Sequence, residues 1–98
     1  MKISTDKRIK KFLYSLPKSE KAKIDRLIEL FTEKGFSLSQ IHLKKITKRI
    51  WELKPGSVRL LLGTVEKEVI ILNAFIKKTT KTPIKEIETA EQRLDDYL

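Results

Sequence analysis

Lys54, Arg59, Lys77 and Lys78 are the residues of this chain whose types and spacing best suit chemistry. They fall within residues 51–83, WELKPGSVRLLLGTVEKEVIILNAFIKKTTKTP, where apolar and basic residues alternate at strand spacing and cross two short turns. Strand spacing lets such cations converge on one face of a sheet. A cluster of that kind suits a phosphodiester. Arginine binds two phosphate oxygens with its planar fork and stays charged. A lysine held among other cations loses proton affinity and can exchange protons near neutrality. Cleavage of RNA needs a base near the 2′-hydroxyl, cations around the phosphate and an acid for the leaving 5′-oxygen. The residues alone also allow a plainer reading, in which Lys54 borders a turn and Arg59 pairs with Glu52 across a hairpin.

Further basic residues flank this stretch. Lys44, Lys45 and Lys48 precede the first strand and Lys81 follows Lys78, so these four are candidate RNA contacts or solvated surface. Trp51 can stack a base or fill the core. Phe75 reads as packing beside the site, Tyr97 as a residue that reaches a site or closes the core, and His42 as surface. With His42 as the one histidine and no cysteine, Cys/His metal sites and HExxH-type motifs are excluded. No nucleophile elbow, GxGxxG or phosphate-binding P-loop occurs, since the glycines are Gly35, Gly56 and Gly63. What is left is chemistry on RNA that needs neither metal nor cofactor.

Ninety-eight residues make one domain, 1–98, with a single modest core. The net charge of +9 is uneven. Residues 41–81 hold ten basic side chains against three acids, while residues 82–98 hold two against five, an asymmetry expected of a polyanion binder. The apolar runs are too short to cross a membrane and the N-terminus lacks a signal-peptide core. The absence of cysteine fits a cytoplasmic location.

Elements must hold these cations. Ser4-Thr5-Asp6 offers N-cap residues, and Ile9, Phe12, Leu13 and Leu16 follow at helical spacing. Pro17 separates this helix from a second, whose stripe is Ile24, Leu27, Ile28 and Phe31 and whose stop is Gly35. Residues 36–45 read as a connector. The period then changes to two, predicting strands over 49–54, 58–64 and 69–76 joined by Pro55-Gly56-Ser57 and by a charged hairpin over 65–68. Thr82 caps a last helix that starts at Pro83 and turns Ile84, Ile87, Ala90 and Leu94 to the sheet. The expected class is α+β: two N-terminal helices, a small antiparallel sheet of three or more strands, and a C-terminal helix. Helices on one face would leave the other face or its rim free.

WELKPGSVRLL followed by ILNAFIKKTTKTPIKEIETAEQRLDDY resembles the RelE/HigB superfamily of toxins, in its phage-derived HigB-like branch. The F-x-K-K-T-x-K-T-P segment is the specific part, and SLPKSEKAKIDRLIELFTEKG is similar to the family's second helix. The resemblance implies a ribosome-dependent mRNA endonuclease that attacks with the 2′-hydroxyl, without metal, and leaves a 2′,3′-cyclic phosphate. Its partners would be mRNA on the ribosome and a cognate antitoxin, often a helix-turn-helix protein. Arg59 matches the strand arginine that holds the scissile phosphate. Lys54 matches a basic residue beside the turn, and Lys77 and Lys78 the basic pair after the last strand. Relatives begin with a strand that is not evident here, and often carry aromatics where this chain has Leu62-Gly63. Two rival readings share the fold: a ParE-like inhibitor of DNA gyrase, and a non-catalytic module whose basic face binds an acidic partner.

Overall fold

The computed structural model describes all 98 residues. Asp6 opens the helical part by accepting the Arg8 amide at 2.8 Å, which starts a 3-10 turn, Lys7–Ile9, and α1, Lys10–Tyr14. Pro17 then caps α2, Lys18–Lys34. Ile24, Leu27 and Phe31 lie on one stripe of α2 and are buried, as the 3.6-residue period requires. Gly35 ends the helix with φ +60°, a conformation that side chains resist.

The sheet has five strands in the order β1-β5-β4-β3-β2: β1 Lys2–Thr5, β2 Leu43–Lys45, β3 Trp51–Leu53, β4 Val58–Val65 and β5 Glu68–Ile76. β2, β3, β4 and β5 pair antiparallel, whereas β1 runs parallel to β5, with Ile3 opposite Val69 and Thr5 opposite Ile71. Two expectations are corrected here. The N-terminal strand is present, because the four residues before Asp6 find a partner strand more than sixty positions away. The connector 36–45 also contributes a strand, since Leu43 buries its side chain beneath α2 while pairing with Leu53.

Both faces of the sheet are covered. One layer joins α1 and α2 to Leu43, Leu53, Val58, Leu60, Leu62 and Ile71. The opposite layer joins Ile50, Leu61, Ile70 and Leu72 to Ala90 and Leu94 of α3, Ile84–Asp95. The expectation of one free face therefore fails, because α3 crosses to the side opposite the other helices. Ile84 does not join this core, being 74% exposed, and Ile87 is only partly packed. Thr82 is not the cap; Pro83 is, and the Thr82 hydroxyl is used elsewhere.

A bulge tunes the alternation of β5. Leu61 pairs with Asn73 and Leu62 with Ile71, so Leu72 is the additional residue. Beyond it the alternation is reset, and Phe75 faces the α3 side directly opposite Arg59. α3 covers that side over Leu61 and Gly63 but begins too late to cover Arg59, which leaves a recess at its N-terminal end. No helix is long and apolar enough to cross a membrane.

Candidate functional site

Register gathers the cations. Lys44 on β2 stands opposite Glu52 on β3, and Glu52 opposite Leu61 on β4, so these side chains share the α3 face. Arg59 belongs to the same face, two residues before Leu61 on β4, and Lys54, just past the end of β3, also lines the recess. The segment 77–83 then crosses the open end, tied by the Lys77 amide to the Ser57 carbonyl at 2.8 Å and by the Thr79 hydroxyl to the Lys81 carbonyl at 2.7 Å. The recess so formed is small and open to solvent, with a cavity volume of about 70 Å³. Lys44, Lys54, Arg59, Lys77, Lys78 and Lys81 line it, against one carboxylate, Glu52.

Arg59 is the most constrained of the six. Its Nη1 donates to the carbonyls of Gly56 at 2.8 Å and Val58 at 2.9 Å. Gly56 is the first central residue of a two-residue hairpin turn and has φ +59°, where glycine is favoured. A side chain there would also meet Lys23, whose Cδ would lie 2.8 Å from an added Cβ. The turn is anchored from α2: Glu20 accepts the Ser57 hydroxyl, and this bond holds the Glu20 carboxyl below its ordinary pKa. Lys54 is directed by its Nζ, which donates to the Gln40 carbonyl at 3.1 Å.

Six of the nine residues expected to act on or bind RNA thus meet in one recess, and three do not. Trp51 lies on the other face, half-buried, with its ring 4.9 Å from that of Phe36. Lys45 accompanies it, its Nζ 5.7 Å from the Trp51 ring centroid. Lys48 is exposed in the turn before β3. Phe75 lines the recess as its one apolar wall. Tyr97 closes the structure elsewhere, donating to Asp6 at 2.8 Å, and burial together with that bond raises its pKa. Arg59 makes no ion pair with Glu52.

Glu52 was the residue that sequence reasoning used only as a partner for Arg59. Its signal was available: an acid set between apolar neighbours in I-W-E-L, at the inward-facing phase of a strand. It is 5% exposed and accepts the Thr82 hydroxyl at 2.7 Å. Leu62 and Gly63 have no place in the recess. Leu62 is in the α2-side core, and a Cβ on Gly63 would stand 3.1 Å from Leu94 of α3.

A mixed sheet between two helical layers, with a cationic recess where α3 begins, defines a small α+β protein. The chain belongs to the phage-derived Gp49-like family (DUF891), whose family model matches residues 11–95. That family is of the RelE/HigB-like toxin kind, in agreement with the resemblance carried by FIKKTTKTP. A search among curated proteins finds no match.

Proposed function

We propose that this protein is the toxin of a type II toxin–antitoxin system and an endoribonuclease that cuts mRNA on the ribosome in the cytoplasm, held in check by a cognate antitoxin. The observation that carries the reading is the recess itself: six cations from β2, the β3–β4 hairpin and the segment before α3 line one depression in the surface. Family membership supports the toxin part. The chemistry supports the rest. Arg59 grips the non-bridging oxygens of the scissile phosphate, and the charge that builds there in the transition state is met by Lys54, Lys77 and Lys78. Lys78 donates a proton to the departing 5′-oxygen. Lys44 and Lys81, at the rim, hold the flanking phosphates.

The test is induction of the chain in cells and in a purified translation system, followed by mapping of mRNA ends. Position-specific cuts that need ribosomes and bear 2′,3′-cyclic phosphate and 5′-hydroxyl ends are expected. Intact mRNA with DNA damage would instead select gyrase inhibition, and intact mRNA and DNA a binding module.

A further inference from the structure

The buried carboxylate in the recess is at odds with stability. Glu52 is 5% exposed, yet no cation lies within ion-pairing distance of it. An unpaired charge in such a position lowers stability, and an apolar side chain opposite Leu61 would pack better. The carboxylate is held rather than neutralised. Thr82 fixes Oε2 at 2.7 Å, and Oε1 has no hydrogen-bond partner in the chain. Because no buried side-chain oxygen in the structure lacks a partner, Oε1 opens to the solvent of the recess.

The surroundings are cationic and leave Oε1 unblocked. Lys44 faces it from β2, Lys54 and Arg59 from the next position along the sheet, and the lysines of 77–81 from the segment above. On α3 the Glu86 carboxylate accepts the Asn73 amide at 2.9 Å, so it does not compete. A carboxylate in a field of cations, beside an arginine built for phosphate, can take a proton from a hydroxyl next to that phosphate.

We propose that Glu52 is the general base of the cleavage reaction, an assignment that rests on the nuclease reading above. Oε1 takes the proton of the 2′-hydroxyl as the 2′-oxygen forms its bond to phosphorus. The bond from phosphorus to the 5′-oxygen breaks, its electron pair leaves on that oxygen, and the Lys78 ammonium supplies the proton. The products are a 2′,3′-cyclic phosphate and a 5′-hydroxyl end, and solvent returns a proton from Glu52 to Lys78. Thr82 is a positioning residue that leaves Oε1 as the free oxygen.

The experiment is single-turnover cleavage of ribosome-bound mRNA by the full chain as a function of pH. Glu52→Gln keeps the side-chain shape and can still accept the Thr82 hydroxyl, so an anchoring role survives it while a base role does not. A loss of roughly 10²- to 10⁴-fold is expected, together with loss of the acidic limb of the pH profile. A 5′-bridging sulfur substrate, whose leaving group needs no acid, should rescue Lys78→Ala and leave Glu52→Gln slow. If Glu52→Gln does not fold, Glu52→Asp serves, with a smaller loss and a retained acidic limb. A folded Glu52→Gln variant that cleaves as the wild type does, or keeps its acidic limb, would overturn the assignment alone. A wild-type chain that cleaves no RNA would overturn the nuclease reading beneath it.

Discussion

Arg59 is latched to Gly56: its Nη1 donates to the Gly56 carbonyl at 2.8 Å across the hairpin that the glycine closes. One nitrogen is thereby committed to the fold, and it reaches the Val58 carbonyl as well. Nε and Nη2, the pair of donors that grips phosphate side by side, have no partner within the chain. The arginine is aimed before any ligand arrives. Removing it with Arg59→Ala should lower cleavage by about 10²- to 10³-fold. Arg59→Lys keeps the charge but loses both latch and fork, so most of that loss should persist in a single-turnover assay.

The latch depends on the turn. At Gly56, φ is +59° and an added Cβ would lie 2.8 Å from Lys23 Cδ. Gly56→Ala should destabilise the chain by about 1–2 kcal/mol in urea unfolding, through backbone strain and the clash. Cleavage should fall with it.

Glu20 reaches the same turn from α2 through the Ser57 hydroxyl. It touches nothing in the recess, so it positions Arg59 at second hand. Glu20→Ala should therefore slow the chemical step by roughly tenfold, as a small misplacement of a reacting group does, with weaker change in RNA affinity. A kcat-against-KM comparison on ribosomes separates the two. Equal activity of Glu20→Ala and wild type would show that the turn holds without it.

Acid should unfold the protein through Asp6. Arg8 bonds first, then burial in opposition and the Tyr97 hydroxyl, leave its carboxyl well below the usual carboxylate range. A depressed pKa means that the unfolded chain binds the proton more readily. The stabilisation is complete above the unfolded value near 4 and drains away as pH falls below it. Asp6→Asn should lose about 2 kcal/mol at neutral pH and show a flatter acid limb in thermal melts. A mutant with the wild-type acid dependence would assign that dependence to another group.

Much of this was legible in the sequence, and the failures have physical causes. The stripe of Ile24, Leu27 and Phe31 declared α2, and the alternation of Val58, Leu60 and Leu62 declared β4, because each side chain reports which way its backbone faces. β1 carried no such signal: four residues, paired in parallel with a strand reached only after the rest of the chain has folded back. β2 was hidden by its length of three residues. The bulge at Leu72, which turns Phe75 toward the recess, follows from pairing rather than from composition. For the recess, residue type found the cations, but only register separated Lys44 from Lys45, which point to opposite faces. Glu52 shows locally as an acid among apolar neighbours, but that its carboxylate is anchored by Thr82, thirty residues away, follows only from the fold.

Relatives often carry aromatics where this chain has Leu62-Gly63, and here neither residue lines the recess. Gly63 sits against Leu94 and the Arg49 carbonyl, which an added Cβ would approach to 3.1 and 3.3 Å. Gly63→Tyr should displace α3 and unfold the chain at lower temperature, about 1–3 kcal/mol being the usual penalty of an overfilled core, with no gain in cleavage.

The measurement that bears most directly on the central claim is end mapping of mRNA in a purified translation system, with wild type and Arg59→Ala side by side. Ribosome-dependent cuts ending in 2′,3′-cyclic phosphate are expected for the wild type, and their loss in an Arg59→Ala protein that still folds. Uncut mRNA with the wild type, or equal cutting by the folded variant, would contradict it.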